Sequence, residues 1–315
     1  MTSRAQQLRE ILARGDLIVA PGVYDGYSAR LVEAAGFATA ATSGAAISNS
    51  LLGIADIGVM GLAENLGHCR NIARSVSIPV TCDADTGYGN PVNVYHTVRS
   101  FEEAGVAGVN IEDQVSPKRC GHMAGKEVVP LEEMVKKIEA ACLARKDDAF
   151  VIIARTDALA VEGLESTLKR VRAYAAAGAD MIFPDAVPNE DTIRKIVDIG
   201  APITLNMGFG ILERPTSPLI PIPTLQAWGV RRVSLPRMLP AAAIKGMTEA
   251  LRAMKGSIES GKVAHRPDLL VGIAEIMQLM GYDAARSLEA KLLTDDALRL
   301  KYEGQLTHGS RPAAE

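Results

Sequence analysis

Cys120 stands in the stretch SPKRCGHMAGKEVVP, residues 116–130, between an arginine and a glycine and two positions ahead of a histidine. A structural cysteine usually behaves as a small buried hydrophobe. This one has polar, basic, glycine-rich company. Either the segment is a surface excursion with an incidental thiol, or the thiol is there to react. Lys118, Arg119 and His122 place positive charge around it, which favours the thiolate. Gly121 and Gly125 would let the segment open and close as a lid. His122 has a second reading, as a helix cap. Cys82 lies inside an apolar run and Cys142 on the apolar face of a helix, so both are expected to be inert.

The second chemical feature is a set of polar residues that terminate apolar runs. These are Thr42-Ser43-Gly44, Asp83-Ala84-Asp85, Glu112-Asp113, Arg155-Thr156-Asp157, Asp185 and Asn206. If the runs are strands that end at one rim, their carboxylates repel one another. Like charges a few ångströms apart raise each other's pKa unless a cation joins them. Oxygen donors without His or Cys suit a hard ion, Mg2+ or Mn2+, and Asp83, Asp85 and Glu112 are the candidate ligands. Mg2+ keeps several waters, so one carboxylate need touch it directly. Arg155 follows the apolar VIIA, where a charge requires a partner. It pairs with a structural carboxylate or grips a substrate carboxylate in bidentate fashion. Asn206, after APITL, is a strand-end cap or a substrate donor. Cys120 falls in the long segment after the Glu112 run, above the expected ion.

The elements that must position these groups recur along the chain. A helix-like run ends in glycine and an apolar run follows, at Gly36, Gly105, Gly178, Gly200 and Gly229. Glycine just past a helix end accepts the left-handed conformation needed there. The runs 16–22, 77–85 and 149–157 complete a series of eight. Between them, Leu164, Leu168, Val171 and Ala175, and again Met134, Ile138 and Cys142, mark one face of a helix. The strands are continuously apolar, as parallel strands covered on both faces should be. Eight such units predict an α/β fold, a (β/α)8 TIM-type barrel. The competing doubly wound sheet would carry a dinucleotide or phosphate-loop motif, and the sequence has neither. The expected organisation is an N-terminal helix over 1–15, the barrel over 16–245, C-terminal helices over 246–306 and a flexible tail over 307–315. In PDLLVGIAEIMQLMGYD, Leu269, Leu270, Ile273, Ile276, Met277 and Met280 form an apolar stripe. It packs against the barrel's own helices or against a second subunit.

Composition narrows the partners. The chain has 315 residues, a net charge of −3, 48% hydrophobic and 23% charged residues. That is a globular composition without a basic block, which disfavours nucleic acid. No apolar run reaches the roughly 20 residues of a membrane span, and the first residues show no secretory core. Four cysteines without CxxC spacing suggest neither zinc nor a disulfide framework, so a reducing cytoplasm is expected.

The stretches APGVYDGYSAR (20–30), LGIADIG (52–58), DADTGYGNPVNV (83–94), IEDQVSPKRCGHMAGKEVVP (111–130), IARTDALAVEG (153–163) and FPDA (183–186) resemble the isocitrate lyase/phosphoenolpyruvate mutase superfamily. The likeness is greatest to its 2-methylisocitrate lyase and 2,3-dimethylmalate lyase branch. The resemblance implies an α/β barrel whose last helix is exchanged within a homodimer or homotetramer. It implies Mg2+ at Asp83, with Asp56, Asp85 and Glu112 acting mostly through water. Ser43, Gly44, Ala45, Lys118, Gly121, His122, Arg155, Asp185 and Asn206 would contact a dicarboxylate substrate or α-keto acid product, and Cys120 would be the acid/base. The reaction implied is carbon–carbon cleavage of a substituted 2-hydroxy dicarboxylate. The alternatives are hydrolysis of oxaloacetate and hydrolysis or rearrangement of phosphonopyruvate. The chain departs from the branch at Ala41, at Asp185 where a Glu is usual, and at MGFG (207–210), where the branch carries a carboxylate and this chain carries Phe209.

Overall fold

The computed structural model describes residues 2–208 and 217–303. Its strands are β1 (Ile18–Val23), β2 (Ala40–Thr42), β3 (Val80–Asp83), β4 (Gly108–Glu112), β5 (Val151–Thr156), β6 (Met181–Pro184), β7 (Thr204–Asn206) and β8 (Arg232–Leu235), each followed by helix. Their order in the sheet is β6-β5-β4-β3-β2-β1-β8-β7, and all pairs are parallel. A parallel bridge between Ile182 and Ile203 joins the two ends. The sheet is thus a nearly closed (β/α)8 barrel, as the repeat predicts. The glycines that end the five repeats take φ between 83° and 103°, the left-handed turn that lets each helix stop and the next strand begin at once.

Two cores explain why the strands are apolar on both faces. Outward residues such as Val109, Ile111, Ile152, Ile182 and Val233 pack under the helices, against Val98, Phe101, Met134, Ile138, Val171 and Tyr174. Inward residues Val151, Ile153, Met181 and Phe183 form a separate cluster with Ala107 and with Leu8 from the helix Arg4–Ala13. That helix closes the N-terminal end of the barrel. Arg9 ties it down through the Ala149 carbonyl at 3.0 Å and Asp180 at 2.6 Å. A barrel filled at the bottom in this way leaves its inward positions free for polar side chains only at the top.

One inward residue breaks the apolar filling. Arg232 of β8 is 2% exposed, and its guanidinium meets Thr81 at 2.7 Å and Thr204 at 3.4 Å, with Nε unpartnered. Burial pushes its pKa down to about 10. Among the described residues no carboxylate pairs with it.

The chain divides into two compact units, Met1–Ala241 and Ala242–Glu315. The helix Met238–Ser260 runs across the boundary expected at 245/246. The second unit continues with helices Ile273–Leu279, Tyr282–Leu292 and Asp295–Tyr302. Within it Ile244, Met247, Leu251, Met254 and Ile258 are exposed at alternating three- and four-residue spacing. Of the apolar stripe read from the sequence, Leu270, Ile273 and Met280 are exposed as well. Among the described residues no helix is long and apolar enough to cross a membrane. The tail 307–315 and Phe209 lie outside the described residues.

Leu8→Ala should lower unfolding free energy by about 2–4 kcal/mol, because it opens a cavity in the inner cluster. Urea denaturation checks this. A loss under about 1 kcal/mol would mean the helix Arg4–Ala13 is not part of the barrel core.

Candidate active site

A cavity opens at the C-terminal ends of the strands. Ser43, Ala45, Asp56, Asp83, Lys118, Cys120, Gly121, His122, Arg155, Asp185 and Asn206 all line it. These residues come from seven separate stretches of sequence and meet only because the barrel turns each strand end inward. Gly44, Asp85 and Glu112 do not line the cavity but lie behind its wall. A Cβ on Gly44 would fall 2.6 Å from Asp83 Oδ2 and 3.4 Å from Asp85 Oδ1, so glycine is required for the carboxylates to stand where they do. Ser43 also has a local role. Its Oγ accepts the Ala46 N–H at 3.3 Å and caps the short helix Gly44–Ile47.

The acids are buried, and cations hold them. Lys118 is 5% exposed and its ammonium lies 2.8 Å from both Asp56 and Asp85. Burial alone would lower the Lys118 pKa, but Asp85 and Glu112 hold it well above the usual lysine range. Asp85 takes a left-handed backbone, φ 47°, unusual for a non-glycine residue and typical of sites that fix a side chain at some cost in strain. Burial, with Asp83 adding to it, pushes the Asp85 carboxyl up to about 6 against the pull of Lys118. Burial also pushes Glu112 well above its ordinary value.

Arg155 has the structural carboxylate partners of its first reading. It faces the cavity, and it is matched by carboxylates: Nε lies 2.8 Å from Asp157 and 3.2 Å from Glu112, and Nη2 lies 3.1 Å from Asp185. Its guanidinium also sits over the Phe183 ring at 5.2 Å. Burial raises the Asp157 carboxyl, yet Arg155 and Lys126 outweigh it and hold the group well below the carboxylate range. Asn206 donates to Asp185 at 3.3 Å and accepts from Ser234. Asp113, adjacent to Glu112, serves the scaffold. It accepts from Thr156, the Asp157 N–H, Tyr174 and Arg170, locking β4 to β5 and to the helix Leu164–Ala176.

The Cys120 segment is docked at several points. Gln114 clamps the Arg119 backbone at both N–H and carbonyl, each at 2.9 Å. The Cys120 N–H donates to the Asp56 carbonyl at 3.0 Å. Lys126 donates to the Gly121 carbonyl at 3.0 Å and to Asp157 at 2.8 Å. Cys120 is 7% exposed and faces the cavity rather than hydrocarbon. Gly121 is glycine because of close approach, not flexibility. A Cβ there would fall 1.9 Å from Asp185 Oδ2 and 2.7 Å from Arg155 Nη2. Gly125, at φ 79°, is the turn.

Among the described residues no three His, Cys, Asp or Glu side chains are gathered tightly enough to hold a metal unaided. A hydrated hard ion is a different case. Glu112 Oε1 is buried without a hydrogen-bond partner. Among the described residues the Asp83 carboxylate receives two long backbone bonds, from Gly44 and Asp85 at 3.2 Å each. The donors are all oxygen. Such a donor set suits a hard, hydrated divalent ion.

Residues 8–255 match the family model for phosphoenolpyruvate phosphomutase. The chain belongs to that family. It is 37% identical over 290 residues to a 2,3-dimethylmalate lyase of Eubacterium barkeri, covering 92% of this chain and 98% of the relative. It is 40% identical over 286 residues to a 2-methylisocitrate lyase of Aeropyrum pernix, covering 90% of each. The fold is shared with a phosphonopyruvate hydrolase whose crystal structure contains oxalate and Mg2+, at a TM-score of 0.79, 31% identity and coverage of 93% and 100%. Like these relatives, the chain is an enzyme.

Sequence reading missed three site residues. Asn110 lines the cavity with a buried, unpartnered Oδ1. Lys126 holds the Gly121 carbonyl and Asp157 together, and nothing in its local sequence marks it. Arg237 lines the cavity, and its Nη2 lies 2.9 Å from Cys120 Sγ. The signal for Arg237 was present, since LPRM ends the eighth strand as the other polar tips end theirs.

Gly121→Ala should weaken Mg2+-dependent oxalate binding at least about tenfold by breaking the Arg155–Asp185 pair, as calorimetry would show; unchanged affinity would contradict the packing described. A second prediction concerns pH. A carboxyl whose folded pKa is raised, as for Asp85 from 3.8 to about 6, stabilises the fold fully below pH 3.8 and loses that contribution as pH rises through about 6. Mg2+ should therefore raise Tm more at pH 7 than at pH 5. Equal shifts at the two pH values would count against a metal among these acids.

Proposed function

We propose that this enzyme is a Mg2+-dependent carbon–carbon lyase acting on a substituted 2-hydroxy dicarboxylate of the 2-methylisocitrate or 2,3-dimethylmalate type. The products are an α-keto acid and a second carboxylic acid, with Cys120 as the acid/base. The observation that carries this reading is that Cys120 lines the same cavity as Asp83. A neutral thiol is suited to protonating a strongly basic carbon such as the one a C–C cleavage releases. The names of the two lyase relatives support it.

When bound, Mg2+ would act as a Lewis acid toward the keto-acid half of the substrate. The chain's own residues do the rest. Arg155 and Lys118 present fixed, largely buried positive charge to that half, where such charge acts more strongly than in water. Ser43, Ala45 and the Gly121 backbone bound the substrate's flat face. The substrate's 2-hydroxyl gives its proton to a carboxylate of the rim, and the freed O–H pair closes the keto C=O. The C–C bond breaks with its electron pair passing to the departing carbon, and the Cys120 S–H proton is delivered there, leaving a thiolate that solvent reprotonates. Docking of the segment by Gln114 and Lys126 holds the sulfur in line. The Cys120 role requires a free thiol, and all four cysteines are free; this suits a reducing cytoplasm. The exposed stripe Ile244, Met247, Leu251, Met254 and Ile258 has the spacing of a helix–helix seam and supports a homodimer or homotetramer built through the C-terminal helices.

Incubation with Mg2+ and 2-methylisocitrate or 2,3-dimethylmalate should release pyruvate or propionate, measured by a coupled lactate dehydrogenase assay and by proton NMR. Cys120→Ser should lower kcat by about 1000-fold and keep Mg2+-dependent oxalate binding. Full activity in that variant would remove the acid/base assignment. Phosphate release from phosphonopyruvate, with no cleavage of either dicarboxylate, would replace the lyase by a phosphonate hydrolase.

A further inference from the structure

Charge matching within the cavity singles out one residue. Three Lys or Arg side chains line it: Lys118, Arg155 and Arg237. Lys118 is matched by Asp56 and Asp85, and Arg155 by Glu112, Asp157 and Asp185. Arg237 pairs with no carboxylate among the described residues. Its contact there is Cys120, with Nη2 at 2.9 Å from Sγ. It is half-buried at the end of β8, so its charge is partly desolvated and directed into the site.

We propose that Arg237 anchors the carboxylate of the departing acid and holds that acid's α-carbon against Cys120. This deepens the lyase reading and rests on it. The carbon that receives the Cys120 proton must be released as a carbanion. It can be released only if the electron pair spreads onto an adjacent acceptor, and a carboxylate is the acceptor in a dicarboxylate substrate. The charge that develops then sits on carboxylate oxygens one bond from the protonated carbon. A guanidinium in contact with the proton-donating sulfur is where those oxygens will be. Its planar fork matches a carboxylate in bidentate fashion, and it strengthens its hold as charge develops. Lys118 and Arg155 are already matched by buried carboxylates and are assigned to the keto-acid half, which leaves Arg237 for that end of the substrate.

Iodoacetate tests this without turnover. It carries a carboxylate one bond from an electrophilic carbon, the geometry required of the departing fragment. The Cys120 sulfur lone pair forms the S–CH2 bond as the C–I bond breaks and iodide leaves. Iodoacetamide is the neutral control, and peptide mass mapping separates Cys120 from the other cysteines. Arg237→Gln should lower the iodoacetate-to-iodoacetamide rate ratio at Cys120 by about tenfold or more, and Arg237→Lys should retain most of it. An unchanged ratio in Arg237→Gln overturns the proposal. On whichever 2-hydroxy dicarboxylate the wild type cleaves, Arg237→Gln should lower kcat/KM about 100-fold and leave Mg2+-dependent oxalate affinity within about twofold. Equal loss of oxalate binding also overturns it, since oxalate lacks the departing fragment. An Arg237-dependent preference for iodoacetate in an enzyme that cleaves no dicarboxylate supports the anchor and removes the lyase reading instead.

Discussion

Buried carboxylates crowded at one rim are the constraint on which the rest of the structure depends. Asp56, Asp85, Glu112, Asp157 and Asp185 are all buried there. Their mutual repulsion and lost hydration would each disfavour folding with all of them ionised. Lys118 and Arg155 offset part of this, each bridging more than one acid. The offset is incomplete. Asp85 and Glu112 still prefer their protons more than free carboxylic acids do, with burial the largest cause. A site in that condition has a standing affinity for one more cation, and this is the physical sense in which the scaffold is prepared for a hard metal ion.

Holding such a site requires a rigid frame, and the frame is unusually direct. The inner cluster around Leu8, Val151, Ile153, Met181 and Phe183 fills the lower barrel. Asp113 then ties the tops of β4 and β5 to the helix behind them through four hydrogen bonds. The two residues flanking this tie, Glu112 and Arg155, are register partners across β4 and β5. Their side chains meet because of that pairing. The same logic sets Gly44 and Gly121, whose absent Cβ atoms leave room for Asp83 and Asp185. Glycine at these positions is a statement about space for carboxylates, and its flexibility is incidental. Arg232, buried among threonines below this layer, is a lone cation beneath the acid cluster. At that depth its field is weakly screened.

The two halves of the cavity differ in how charge is balanced. On the Asp83 side, cations and acids are already paired in the absence of ligand. On the Cys120 side, Arg237 meets a sulfur instead of a carboxylate. The asymmetry is what the proposed cleavage requires, with one fragment leaving as a keto acid and the other as a carbanion needing a proton and a countercharge. It also locates selectivity. The departures at Ala41 and Asp185 lie on the cavity wall, beside the residues proposed for catalysis.

The amino-acid order by itself determined the barrel. Glycine-terminated helix runs followed by doubly apolar strands permit few other folds, and all eight strands are where the periodicity put them. It also determined the cast of the site, because polar residues ending apolar runs must gather at one rim once the strands are parallel. The acids at strands three to six were legible for that reason. The tertiary structure alone decided who pairs with whom. Nothing local says that Lys118 answers Asp56 from 62 positions away, that Arg155 joins Glu112 to Asp185, that Gly121 yields space to a carboxylate, or that Arg237 reaches a sulfur 117 positions earlier in the chain. Periodicity reports which side of an element faces inward. Closure of the barrel sets the distances across it, and electrostatics at short range depends on those distances.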